Sequence, residues 1–101
     1  MYKVVVAPVT SELLTGYAGK FAADNGIECT MSLIDAFEKA VASLTEMPQR
    51  GVRKLSYIPA RYHTISFWKH LWLVYQINCD ENIVYIDYLI DDRSDYGRLF
   101  R

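Results

Sequence analysis

The sequence predicts an α+β domain of order β-α-α-β-β-β, with an N-terminal helical hairpin packed on a mostly antiparallel sheet. Three observations predict it. An opening β-branched run, "YKVVVAP", stops at a proline. Apolar residues then recur at three- and four-residue steps through two consecutive segments, as helices require. From Arg61 onward the pattern becomes alternating or continuously apolar, as strands require. The 101 residues, 51% hydrophobic and 23% charged, suit one globular domain over 1–101 with a single core.

The elements follow in order. "YKVVVAP" reads as a first strand, buried on both faces or nearly so. Thr10 or Ser11 can accept from the free N–H groups of a helix start, with Glu12 in the first turn. Leu13, Leu14, Tyr17, Ala18 and Phe21 form the apolar stripe of this first helix, which Gly16 and Gly19 weaken. "DNG" at Asp24–Gly26 breaks it, and the two helices are expected to be joined by about four residues. The second helix carries Ile27, Met31, Ile34, Phe37, Val41 and Leu44 as its stripe and ends before Pro48, with "PQRG" as a turn.

Three strands are predicted next. "RYHTISFW" alternates, and "HLWLVYQINC" has the near-continuous apolar character of a central strand. "CDEN" is a tight polar turn, so its flanking strands should form a hairpin. In "IVYIDYLI", strict alternation puts Ile83, Tyr85, Asp87 and Leu89 on one face, and Val84, Ile86, Tyr88 and Ile90 on the other.

Charge is segregated behind a net value of −1. No acid occurs from Met47 to Cys79, a span with Arg50, Arg53, Lys54, Arg61, Lys69, His63 and His70. Asp80, Glu81, Asp87, Asp91, Asp92 and Asp95 then crowd around Arg93 alone. The basic block could meet an acidic partner or a phosphate backbone, or the two blocks could neutralise each other across neighbouring strands. Cys29 and Cys79 form no CxxC pair or zinc pattern, and are expected to be free, buried thiols in a reducing compartment. "LWLVYQI", the longest apolar run, is far short of the ~20 residues that span a bilayer, so a cytoplasmic protein without membrane contact is expected.

No H-E-x-x-H, Gly-rich phosphate loop or nucleophile elbow occurs, so no metal or other cofactor is expected. The side chains that could carry chemistry are Arg61, His63, Lys69, Arg93 and Tyr96. A metal-free ribonuclease needs a base for the 2′-hydroxyl, cations for the developing charge on phosphorus and an acid for the leaving oxygen. Arg, Lys, His and Tyr can fill those roles. Residue by residue, plainer readings are stronger: Arg93 as an ion pair with Asp91, Asp92 or Asp95, and Tyr96 as an anchor for the tail.

Read together, "YKVVVAP", the helical hairpin closing on "SLTEMPQRG", "KLSYIPARYHTISF" at Lys54–Phe67, "LVYQI" at Leu73–Ile77 and the R-x-x-Y tail at Arg93–Tyr96 resemble the RelE/ParE superfamily of bacterial type II toxin–antitoxin toxins. The resemblance covers essentially the whole chain. It implies a growth-inhibiting toxin neutralised by a cognate antitoxin protein, as a dimer or a toxin–antitoxin hetero-oligomer. RelE-like members cleave mRNA on the ribosome without a metal, whereas ParE-like members share the fold and block DNA gyrase. The RelE-like set has lysines on the strand that here reads "YHTISF", where this chain has His63 and Ser66, and an Arg just before "LVYQ", where it has Trp72. Replacing that Arg by Trp removes a fixed charge and a forked phosphate donor. The acidic "DENIVYIDYLIDDRSD" would also repel a phosphate backbone. The ParE-like branch is therefore expected, with Arg61, Lys69, Trp72, Arg93, Tyr96 and Arg98 as partner-binding residues. The mRNA endonuclease is the alternative, with Arg61, His63, Arg93 and Tyr96 as its catalytic set.

Overall fold

The structure, a computed structural model, describes residues 1–50, 58 and 61–93. Its elements are β1 (Lys3–Val6), α1 (Pro8–Asn25), α2 (Ile27–Glu46), a 3₁₀ turn (Pro48–Arg50), β2 (His63–Trp68), β3 (Leu71–Asn78) and β4 (Ile83–Asp91). This is the predicted α+β order. The sheet runs β1-β4-β3-β2, antiparallel except where β1 pairs in parallel with β4. The two most apolar strands, β3 and β4, are therefore the interior pair.

The helix α1 starts earlier than Thr10 or Ser11 capping predicts. Pro8 sits in its first turn after Ala7, and no side chain caps it. A proline there has its φ already set and lacks only a donor that would have no partner anyway. Thr10 is thus inside the helix and buried, and its hydroxyl donates to the Ile86 carbonyl at 3.1 Å, fastening α1 to β4. One residue, Gly26, joins the helices, rather than about four. Its φ of 87° is open to glycine and costly for any side chain, and its N–H closes α1 onto the Ala22 carbonyl at 3.0 Å.

The buried side of α2 is Leu33, Ala40 and Leu44, with Phe37 and Val41 half-buried beside them. Ile27 and Met31, expected on the inward stripe, are instead 72% and 65% exposed. Met31 lies two residues from Leu33, about 200° around the helix, so one helix cannot bury both against one sheet.

The sheet is covered by the helices on one face and, over part of the other, by a smaller cluster. Toward the helices lie Ile65, Leu71, Leu73, Tyr75, Val84, Ile86 and Leu89, packed with the inward residues of α1 and α2. Each fully buried Leu or Ile here contributes about 1.5–3 kcal/mol relative to exposure. On the outer face, Tyr62, Val74 and Ile90 pack with Ile58, Trp72 and Tyr88.

A β-bulge corrects the predicted faces of β4. Val74 pairs with Tyr88 while Tyr75 pairs with Ile86, so Asp87 is left over between them. Before the bulge, Val84 and Ile86 face the helices; after it, Leu89 does, and Tyr88 and Ile90 turn outward. One extra residue inverts the alternation. The first strand also departs from expectation: β1 is an edge strand whose residues are exposed or only half-buried. Both cysteines are free, but Cys79 is exposed in the β3–β4 turn and Cys29 half-buried, so neither is the buried thiol expected.

Candidate functional site

Asp91, the last residue of β4, and Asp92, just after it, are fastened to different partners. Asp91 follows Leu89 on the helix side and is 8% exposed. It accepts three hydrogen bonds from one residue: Arg93 N–H at 2.9 Å, Nε at 3.2 Å and Nη2 at 3.0 Å. The guanidinium side chain remains 62% exposed. Hydrogen bonding from Arg93 holds the Asp91 carboxyl below the usual carboxylate range, against the opposing effect of burial, and Asp91 in turn raises the Arg93 guanidinium. On α1, burial pushes the Tyr17 phenol up, with the Asp91 charge adding to it and Arg93 opposing it.

Asp92 does the complementary job on the outer side. Its Oδ1 lies 2.9 Å from His70 Nδ1, and its Oδ2 accepts from Trp72 Nε1 at 3.0 Å. The Asp92 N–H also donates to the His70 carbonyl at 2.9 Å. Thus the Asp92 carboxylate sets the planes of an indole and an imidazole on two different segments, and its backbone N–H fixes the position at which the chain leaves β4. The two-residue turn between β2 and β3 completes this end. Lys69, at φ 47°, holds its ammonium 4.6 Å from the Trp68 ring centroid. The Trp68 indole donates to Ser32 Oγ at 3.2 Å and meets Phe21 edge-on at 5.0 Å.

Of the residues singled out in the sequence, Lys69, Trp72 and Arg93 come together at this end of the sheet. Arg61 and His63 do not. His63 opens β2, five residues or about 16 Å from Trp68 along the strand, and Arg61 lies two residues ahead of it. The Arg61 guanidinium sits 4.8 Å from the Tyr62 ring centroid, and the His63 ring stacks on Tyr75 at 5.6 Å on the helix-facing side. Tyr96 and Arg98 lie outside the described residues. Among the described residues no three His, Cys, Asp or Glu side chains converge as metal ligands.

Sequence reasoning named Asp92 only as a possible partner of Arg93, and missed His70, Trp68 and Tyr17 as parts of this end. Asp91 takes the hydrogen bonds of Arg93, and Asp92 acts on Arg93 through its charge.

No protein-family model matches the chain. No curated protein matches its sequence. Its fold is similar to that of a chain from the chromosomal ParDE TA system of P. aeruginosa, with a TM-score of 0.74 at 12% identity, over 90% of this chain and 96% of that one. The two share the α+β architecture of two helices followed by a mostly antiparallel four-stranded sheet.

Proposed function

We propose that this chain is the toxin of a toxin–antitoxin pair, and that it arrests growth by binding a protein target, DNA gyrase, with the end of the sheet built from Asp91, Asp92, Arg93, Lys69 and Trp72. The shared fold with a ParDE chain and the order of elements support the toxin reading. A cognate antitoxin is then the second partner, masking the toxin until released.

The observation that carries the choice of target is the pair of carboxylates at the end of β4. The one described arginine here, Arg93, is engaged on three atoms by Asp91, and Trp72, at the position where the RNA-cleaving branch has an arginine, donates to Asp92. Stabilising a phosphorane needs cations with unspent donors, and two fixed carboxylates oppose the approach of a phosphodiester. A protein surface is a better fit. Half-buried Trp and exposed Arg are the side chains that dominate protein interfaces, and here both are held in place before binding.

Inducible expression in a bacterial host tests this reading. Gyrase blockade gives a supercoiling defect and an SOS response with intact transcripts, and an Arg93→Ala variant that still folds inhibits growth less. Rapid translation arrest with transcripts cut at codon positions would overturn it in favour of the ribosome-dependent endonuclease.

A further inference from the structure

The outer face of the sheet is two surfaces. Around β2 it is closed, with Val74, Ile90 and Tyr62 buried beneath their neighbours. Toward the β3–β4 turn it opens into a groove of about 530 Å³, lined by Gln76, Ile77, Asn78, Cys79, Asp80 and Tyr85. The bulge shapes its border. Gln76 pairs with Tyr85, and its amide donates to Asp87 Oδ2 at 2.7 Å, orienting the carboxylate of the bulged residue and leaving Oδ1 as an acceptor.

We infer that this open half of the outer face docks a basic segment of a protein partner, an Arg or Lys side chain entering the groove across Tyr85, between Asp87 and Asp80. Charge complementarity argues for that occupant. Asp80, Asp87 and the neighbouring exposed Glu81 enter no ion pair with any described residue; the ion pairs there are Lys39–Asp35, His70–Asp92 and Arg93–Asp91. Lys3 stands on the same face beside Ile83, and Arg61 lies ahead of β2, but neither lines the groove. The groove therefore offers the Asp80 carboxylate in its lining, the Asp87 carboxylate at its border through Gln76, the Gln76 and Asn78 amide oxygens and the Tyr85 phenol, all of which attract a cationic side chain. The same carboxylates repel nucleic acid. They are also dispersed along the groove: no three ligands converge for a metal ion among the described residues. The inference rests on the groove itself and holds whether or not the chain is a toxin.

An NMR titration of the full chain tests it, with a short peptide of alternating Arg and Gly and a matched peptide of alternating Glu and Gly. Amide shifts with the Arg peptide should centre on residues 76–80 and 85–87, and the Glu peptide should leave them still. Asp87→Asn keeps an acceptor for Gln76, so the fold stays intact, and it should weaken Arg-peptide binding about fivefold, the scale of one exposed ion pair. Asp80→Asn should weaken it on the same scale. Shifts centred instead on Asp24, Asp35 and Glu38 of the helices, equal shifts with both peptides, no shifts at all, or an affinity that neither substitution changes would each overturn the inference.

Discussion

Asp92→Ala tests whether one carboxylate organises the end of the sheet. The substitution removes the acceptor of Trp72 Nε1 at 3.0 Å and the partner of His70 Nδ1 at 2.9 Å. Trp72 is half-buried, so its indole N–H recovers some water, and the cost falls at the low end of the range for a stranded donor, about 1 kcal/mol. The His70 contact is exposed and adds little. For a domain of 101 residues, about 1 kcal/mol lowers Tm by roughly 4–8 °C. Urea denaturation followed by circular dichroism reads it directly. Asp92→Asn retains an oxygen for the indole and should lose less than half as much. In a Trp72→Phe background, Asp92→Ala should cost only the His70 share, so the double-mutant cycle should give a coupling of about 0.5–1 kcal/mol. Strictly additive losses, or an Asp92→Ala variant as stable as the parent, would refute the clamp and with it the preorganised Trp72.

Three further expectations follow from other contacts. Asp91 is held below its ordinary range by Arg93, so it binds fewer protons folded than unfolded near pH 4. Its stabilisation is complete above the unfolded value of about 4 and fades as pH falls through the lower, folded one, so an Asp91→Asn variant should approach the parent's stability in acid denaturation curves below about pH 4. Tyr75→Phe removes the hydroxyl that donates to the buried Pro48 carbonyl at 2.6 Å, and equilibrium unfolding should show a loss of about 1–3 kcal/mol. Gly26→Ala forces a side chain to φ 87°, which has open space around it but costs about 1–3 kcal/mol in backbone strain, measurable as a lower urea midpoint with an unchanged slope.

Much of the fold was legible because periodicity reports burial. The order of elements along the chain and the hairpin around "CDEN" follow from runs that change period at Pro48 and Arg61. What period alone does not encode is a shift of phase. The bulge at Asp87 adds one residue without altering composition, so Leu89 reads as sharing a face with Tyr85 and packs instead with Val84 and Ile86. On α2 the weak point was the choice between overlapping stripes: Met31 and Leu33 are both apolar, and only the docking angle selects Leu33. At the functional end, the sequence offered Arg93 three acidic neighbours; Asp95 lies outside the described residues, and of the other two Asp91 pairs with it. Trp72 was legible as a departure from the RNA-cleaving pattern. That Asp92 holds it was not, because the residues are 20 apart in sequence and meet only through the β3–β4 register.

The most direct measurement is a supercoiling assay with purified gyrase and relaxed plasmid, titrated with the purified chain, beside a translating extract probed for cut mRNA. The account requires supercoiling to fall with dose, the Arg93→Ala and Trp72→Ala variants to need higher doses, and the mRNA to stay whole. Undiminished supercoiling alongside ribosome-dependent cleavage would contradict it.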